Sequence, residues 1–78
     1  MSPAGNVEEL KNNVLNIRHD RGLTQEELGN QVGLTRQTII AIEKGRFTPS
    51  VATALLLANA LNTTVDKLFW LVNSGDKK

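Results

Sequence analysis

The sequence predicts an all-α domain, and three observations carry that expectation. Apolar residues recur at helical spacing in successive short blocks, most plainly Val51, Ala54, Leu57, Ala58 and Leu61. The blocks open on hydroxyl residues that can cap a helix (Thr24, Thr35, Ser50, Thr64) and close on Gly22, Gly33, Gly45 or Asn62. No strand signal and no internal repeat interrupts them.

Residues 1–6 contain Pro3 and Gly5 without apolar periodicity and read as a flexible lead-in. From Val7 a first helix is expected, with Leu10, Val14 and Ile17 on one face. Gly22 ends it, and Arg18 and Arg21 fall in the last turn, where the helix dipole favours cations. Thr24 caps the second helix, Glu27 completes a capping box, and Leu28 and Val32 face inward. Gly33 makes the turn because glycine takes positive φ without strain, and Leu34 plugs the corner. Thr35 caps a third helix that runs to about Lys44, where Gly45 stops it. In the loop Arg46-Phe47-Thr48-Pro49, Phe47 is expected to anchor into the core. Ser50 caps a fourth helix whose inner face is the Val51 to Leu61 set, ended by Asn62, which tolerates the left-handed region. Thr64 caps a fifth helix with Val65, Leu68 and Phe69 inward. Residues 7–72 thus form one domain, and residues 73–78 a polar tail.

At 78 residues the chain sits near the lower limit for a self-sufficient core, so pairing with a second copy is an expected source of stability. Without cysteine it has neither disulfides nor a thiolate metal site, and one histidine, His19, makes no ligand cluster. No apolar run approaches a membrane span and no secretory leader is visible, which points to a soluble cytoplasmic protein. No serine–histidine–acid trio or glycine-rich phosphate loop has motif support, so neither an enzyme nor a cofactor is expected. The formal net charge of +1 does not announce a polyanionic partner. Its distribution says more: Glu8, Glu9, Glu26 and Glu27 lie early, whereas Arg36, Lys44 and Arg46 share a window with one acid, Glu43.

The second and third helices, joined by a glycine turn, make a helix-turn-helix, a device for reading a DNA groove. At 100° per residue Arg36, Gln37, Ile40, Ala41 and Lys44 share one face of the third helix, and Ile39 and Ile42 the opposite one. Arginine can grip guanine O6 and N7, glutamine adenine N6 and N7, and Ile40 or Ala41 can meet a thymine methyl. Gln25, in the first turn of the second helix, is placed for a backbone phosphate; Thr35, Thr38, Lys44, Arg46 and Thr48 are the other phosphate candidates. Leu55-Leu56-Leu57 and Phe69-Trp70-Leu71-Val72 carry more apolar residues than one inner face absorbs. Leu56, Trp70 and Leu71 are therefore the candidate seam of a homodimer, which would set two reading helices about 34–36 Å apart.

From about Val14 to Phe69 the chain resembles the Cro/phage-repressor, or XRE, family of helix-turn-helix transcriptional regulators. The resemblance lies in Ile17-Arg18, Gly22 to Leu28, Val32-Gly33, Arg36 to Ile39, Ile42-Glu43 with Gly45, Pro49-Ser50, and Val65 to Phe69. It implies a five-helix, lambda-repressor-like domain that binds a palindromic double-stranded DNA operator as a homodimer, typically as a repressor. It places Gln25 on phosphate, Arg36, Gln37, Ile40 and Ala41 on bases, and an internal ion pair between Arg18 and Glu43. The sequence departs from the family at Gly29, where alanine is usual and glycine costs about 1 kcal/mol in helix propensity. It departs also at Ile40, often polar in relatives, and at Asn62-Thr63, which replace a common Gly-Val. Ile40 keeps a second reading open: a protein-interaction module on the same fold, such as an antitoxin or a coactivator bridge.

Overall fold

Cap chemistry sets the ends of the central helices. The computed structural model describes residues 8–73; the expected lead-in over residues 1–6, Val7, and residues 74–78 of the expected tail lie outside them. Five helices are formed: α1 (Val14–Asp20), α2 (Gln25–Val32), α3 (Arg36–Glu43), α4 (Val51–Ala60) and α5 (Val65–Leu68). Thr24 accepts the Glu27 N–H while the Glu27 carboxylate accepts the Thr24 N–H, a complete capping box. Thr35 and Ser50 cap α3 and α4 through the N–H groups of Thr38 and Thr53. Gly33 takes φ +74° at the α2 exit, and Asn62 is the one non-glycine residue with positive φ among the described residues.

Two strands correct the all-α expectation. β1 (Glu8–Asn12) and β2 (Phe69–Asn73) pair antiparallel, with Leu10 opposite Leu71, Lys11 opposite Trp70 and Asn12 opposite Phe69. The helix expected from Val7 therefore begins only at Val14, the fifth helix stops at Leu68, and Asn73, expected in the tail, ends a strand. The spacing of Leu10, Val14 and Ile17 mimicked a helical face, but long-range pairing with the Phe-Trp-Leu-Val run overrides that local pattern. Asn12 enforces the break. Its Oδ1 accepts the Val14 N–H at 3.1 Å and its Nδ2 donates to the Ile42 carbonyl at 3.0 Å, so it satisfies the first N–H of α1 and ties β1 to the end of α3.

The core gathers Val14, Leu28, Ile39, Ile42, Leu57, Leu61 and Leu68, all fully buried, with Phe69, Val32, Ala54 and Ala58 around them. Each such aliphatic side chain stabilises by about 1.5–3 kcal/mol relative to exposure. Two expected members are absent. Phe47 is 49% exposed, because its loop leaves α3 at Gly45 and runs outside the core. Val51 is 78% exposed, and the buried face of α4 begins only at Ala54. Thr64 holds the N-cap position of α5 but caps no backbone N–H. The Thr64 hydroxyl, with the N–H groups of Asp66 and Lys67, instead holds the Asp66 carboxyl below its ordinary pKa. Arg21, expected to act on the dipole of α1, reaches across to α4: its Nε donates to the Leu61 carbonyl at 2.7 Å and its Nη2 to that of Asn62 at 3.3 Å.

Gly29 is a requirement of the turn rather than a flaw in α2. A Cβ there would lie 2.5 Å from the Leu34 carbonyl oxygen, and the Leu34 N–H donates to the Gly29 carbonyl at 2.9 Å. Across the domain, Arg18 of α1 and Glu43 of α3 are joined at 2.6 Å between Nε and Oε2, with 8% and 3% of their side chains exposed. The Arg18 Nη1 also donates to the Leu23 carbonyl at 2.9 Å.

Two substitutions test this packing. Gly29→Ala is expected to lower the thermal midpoint even though alanine is the better helix former by about 1 kcal/mol; an unchanged or raised midpoint would show that the turn yields freely. Glu43→Ala strands a buried guanidinium and should remove about 3–5 kcal/mol of unfolding free energy, whereas replacing Arg18 and Glu43 together by methionine should leave stability near or above that of the parent chain. An unaltered denaturant midpoint for Glu43→Ala would contradict the buried pair.

Candidate nucleic-acid interface

α2 passes to α3 through Gly33, Leu34 and Thr35, and α3 is held at both ends. At its start Thr35 caps it; along it Ile39 and Ile42 are buried; at its end the Ile42 carbonyl is bonded by Asn12 and the Glu43 carboxylate by Arg18. A helix clamped this way cannot roll. Its outer face is therefore a fixed surface.

On that face Arg36, Gln37 and Lys44 are exposed, and Ile40 and Ala41 are half-buried. These five positions span about 140° of the helix. The face opens with a five-donor guanidinium fork and a carboxamide, continues with small apolar groups and ends on an ammonium. That order of chemistry suits base edges in the middle and phosphates at the rim.

The phosphate candidates fall at the two ends of α3. Thr35 and Thr38 lie at its N-terminal end, Lys44, Arg46 and Thr48 follow its C-terminus at exposed positions, and Gln25 of α2 reaches the side chain of Glu43. Thr35 is exposed and Thr38 half-buried, and their hydroxyls are 3.1 Å apart, so either can donate to the other. Gln25 and Arg36 line one open cleft of about 610 Å³, together with Arg18, His19, Thr24 and Glu26. Gln25 is half-buried there, its Nε2 donating to Glu43 Oε1 at 3.0 Å. His19 is an exposed wall of this cleft. Among the described residues no group of three or more histidines and acids is placed to hold a metal ion, and no helix is long and apolar enough to cross a membrane.

The candidate seam draws on two elements. Leu56 stands half exposed on α4, where it lines an apolar groove of about 710 Å³ with Leu55, Ala52 and Ala58. Trp70 and Leu71, 42% and 61% exposed, are neighbours on β2 and so project from opposite faces of the sheet.

Sequence reasoning missed Asn12, Arg21 and the Gln25–Glu43 hydrogen bond. An asparagine pair just before Val14 is itself a helix-start signal and could have placed the first helix correctly. The reach of Arg21 to α4 and of Gln25 to α3 crosses long sequence separations and leaves no local trace.

A family model described as helix-turn-helix matches residues 15–68 of the chain. A helix-turn-helix-type transcriptional regulator of Methanothermobacter thermautotrophicus is 51% identical over 61 residues, covering 77% of this chain and 88% of that protein. Among solved structures, the restriction-modification controller protein C.AhdI of Aeromonas hydrophila superposes with a TM-score of 0.65 at 31% identity, over 69% of this chain and 78% of that one. The transcriptional regulator VanUg reaches a TM-score of 0.72 over 95% of this chain and 99% of its own; at 19% identity it speaks for the fold alone. With its capped α2, glycine turn and outward-facing α3, the chain belongs to the XRE-type helix-turn-helix family of transcriptional regulators.

Proposed function

We propose that this chain is a homodimeric, sequence-specific DNA-binding regulator without catalytic activity, acting as a repressor at a palindromic operator. α3 enters the major groove, Arg36 and Gln37 read bases, and Ile40 and Ala41 supply methyl contacts. The observation that carries this reading is the pairing of an exposed Arg36–Gln37 with a fully buried Ile39 and Ile42 on one short helix. The core fixes the helix, and its polar donors face solvent. Gln25, Thr35 and Thr38 on one side and Lys44, Arg46 and Thr48 on the other hold phosphates and set the register.

The seam follows from the hairpin. A two-stranded ribbon is marginal by itself, and β2 carries no charged residue, so its outer edge lacks the usual protection against strand addition. Antiparallel pairing of two β2 strands about Leu71 sets Leu71 against Leu71 and Trp70 against Val72 across the twofold axis. That arrangement uses both faces of β2, and Leu56 of α4 extends the apolar surface.

Ile40, half-buried on the outer face, supports the alternative of a protein-interaction module on the same fold. Salt separates the two. DNA binding should weaken linearly on a log–log plot as ionic strength rises, because each neutralised phosphate releases counterions; a flat dependence favours a protein partner.

Two variants test the details. On a duplex obtained by selection from random sequence, Arg36→Ala should lose about 1–3 kcal/mol of affinity with an unchanged thermal midpoint; equal operator binding by both proteins would rule out the base-reading role. Leu71→Lys should shift sedimentation equilibrium toward monomer and weaken operator binding in parallel. A dimer that survives that change places the seam elsewhere.

A further inference from the structure

Gln25 is bonded inside the protein and yet stands where a phosphate should lie, and the atoms of its amide reconcile the two. A carboxamide has two N–H donors and one carbonyl. One N–H goes to Glu43 Oε1 at 3.0 Å. The same oxygen accepts Arg18 Nη2 at 3.3 Å, and Oε2 accepts Arg18 Nε at 2.6 Å, so the acceptor is itself pinned from behind. Arg18 Nη1 holds the Leu23 carbonyl at 2.9 Å, two residues before Gln25. The side chain is thus anchored on one N–H, and its second N–H remains to be used at the cleft that Gln25 lines together with Arg36.

We infer that Glu43 is a positioning residue for phosphate binding: it orients the Gln25 amide so that the free N–H is aimed at the DNA backbone. This rests on the DNA-binding reading above. Glutamine is among the side chains that lose most rotamer freedom on ordering. Anchored in the free protein, Gln25 has already lost that freedom before DNA arrives, and the complex keeps the gain as affinity. Glu43 is also the last residue of α3, and Gln25 the first of α2. One carboxylate therefore registers the phosphate contact against the helix that reads bases.

The test is a mutant cycle measured on a short duplex of arbitrary sequence at low ionic strength, where phosphate contacts dominate binding. Gln25→Ala should weaken binding about three- to tenfold, and Arg18→Met with Glu43→Met by nearly the same factor. Adding Gln25→Ala to that pair should weaken it no further, because the amide is already unaimed. Arg18→Met with Glu43→Gln, which keeps a carbonyl acceptor for Gln25 and removes the competing guanidinium, should restore most of the loss. Additive losses in proteins that bind DNA overturn the positioning role alone, whereas a parent chain that binds no duplex removes the DNA reading and this role with it. NMR relaxation of side-chain amides gives a readout without DNA: Gln25 should be rigid in the parent chain, unlike the exposed Gln37. A Gln25 amide as mobile as that of Gln37 overturns the proposal even if the methionine pair fails to fold.

Discussion

The buried pair of Arg18 and Glu43 is the constraint on which the rest of the domain depends. It joins α1 to α3 across 25 positions of sequence, and almost none of either side chain meets water. Removing two charges from solvent costs several kcal/mol, and Coulomb attraction recovers that only where the remaining donors and acceptors are also met. Here they are: Leu23 takes a third guanidinium donor and Gln25 fills a further carboxylate lone pair. The net stabilisation of such a pair is small. Its geometric effect is large, because it admits one arrangement of α1, the loop before α2, and α3.

From that arrangement the outer surface follows. Ile39 and Ile42 hold α3 to the core, Asn12 secures the Ile42 carbonyl, and Gly29 lets the turn at Leu34 lie against α2 without a Cβ between them. What remains unheld is the face that begins with Arg36 and Gln37. The rigidity that a groove reader needs therefore comes from the inner side of the same short helix. The hairpin joins this system too, since β1 reaches α3 through Asn12 while Asn13 donates its N–H to the Leu68 carbonyl at 2.9 Å. A partner docked on β2 would consequently be coupled to α3 through two hydrogen bonds and one strand pair.

Most of the helical frame was legible from residues alone because its signals are local. Thr24 with Glu27, Thr35, Ser50, Gly33 and Asn62 each act within a turn of chain, and the structure has each at the position its chemistry requires. The Ile39/Ile42 face was legible for the same reason. What the residues hid was long-range. Glu8 to Asn12 has no strand character of its own and becomes a strand only opposite Phe69 to Asn73. Phe47 and Val51 are apolar residues at reasonable spacing whose exposure depends on where a loop happens to run. Gly29 read as a weak helix residue because the contact that demands it comes from the turn beyond Gly33. Of the candidate interface, the outward-facing stripe from Arg36 to Lys44 could be written down in advance, but the bond between Gln25 and Glu43 could not.

Guanine N7 interference on a selected duplex decides whether Arg36 reads a base, since N7 is exposed only in the major groove and is the atom a bidentate arginine grips. Interference is expected at one guanine in each of two symmetric half-sites, lost when Arg36 is replaced by alanine. Interference confined to minor-groove atoms, or a guanine signal indifferent to Arg36, would contradict that reading.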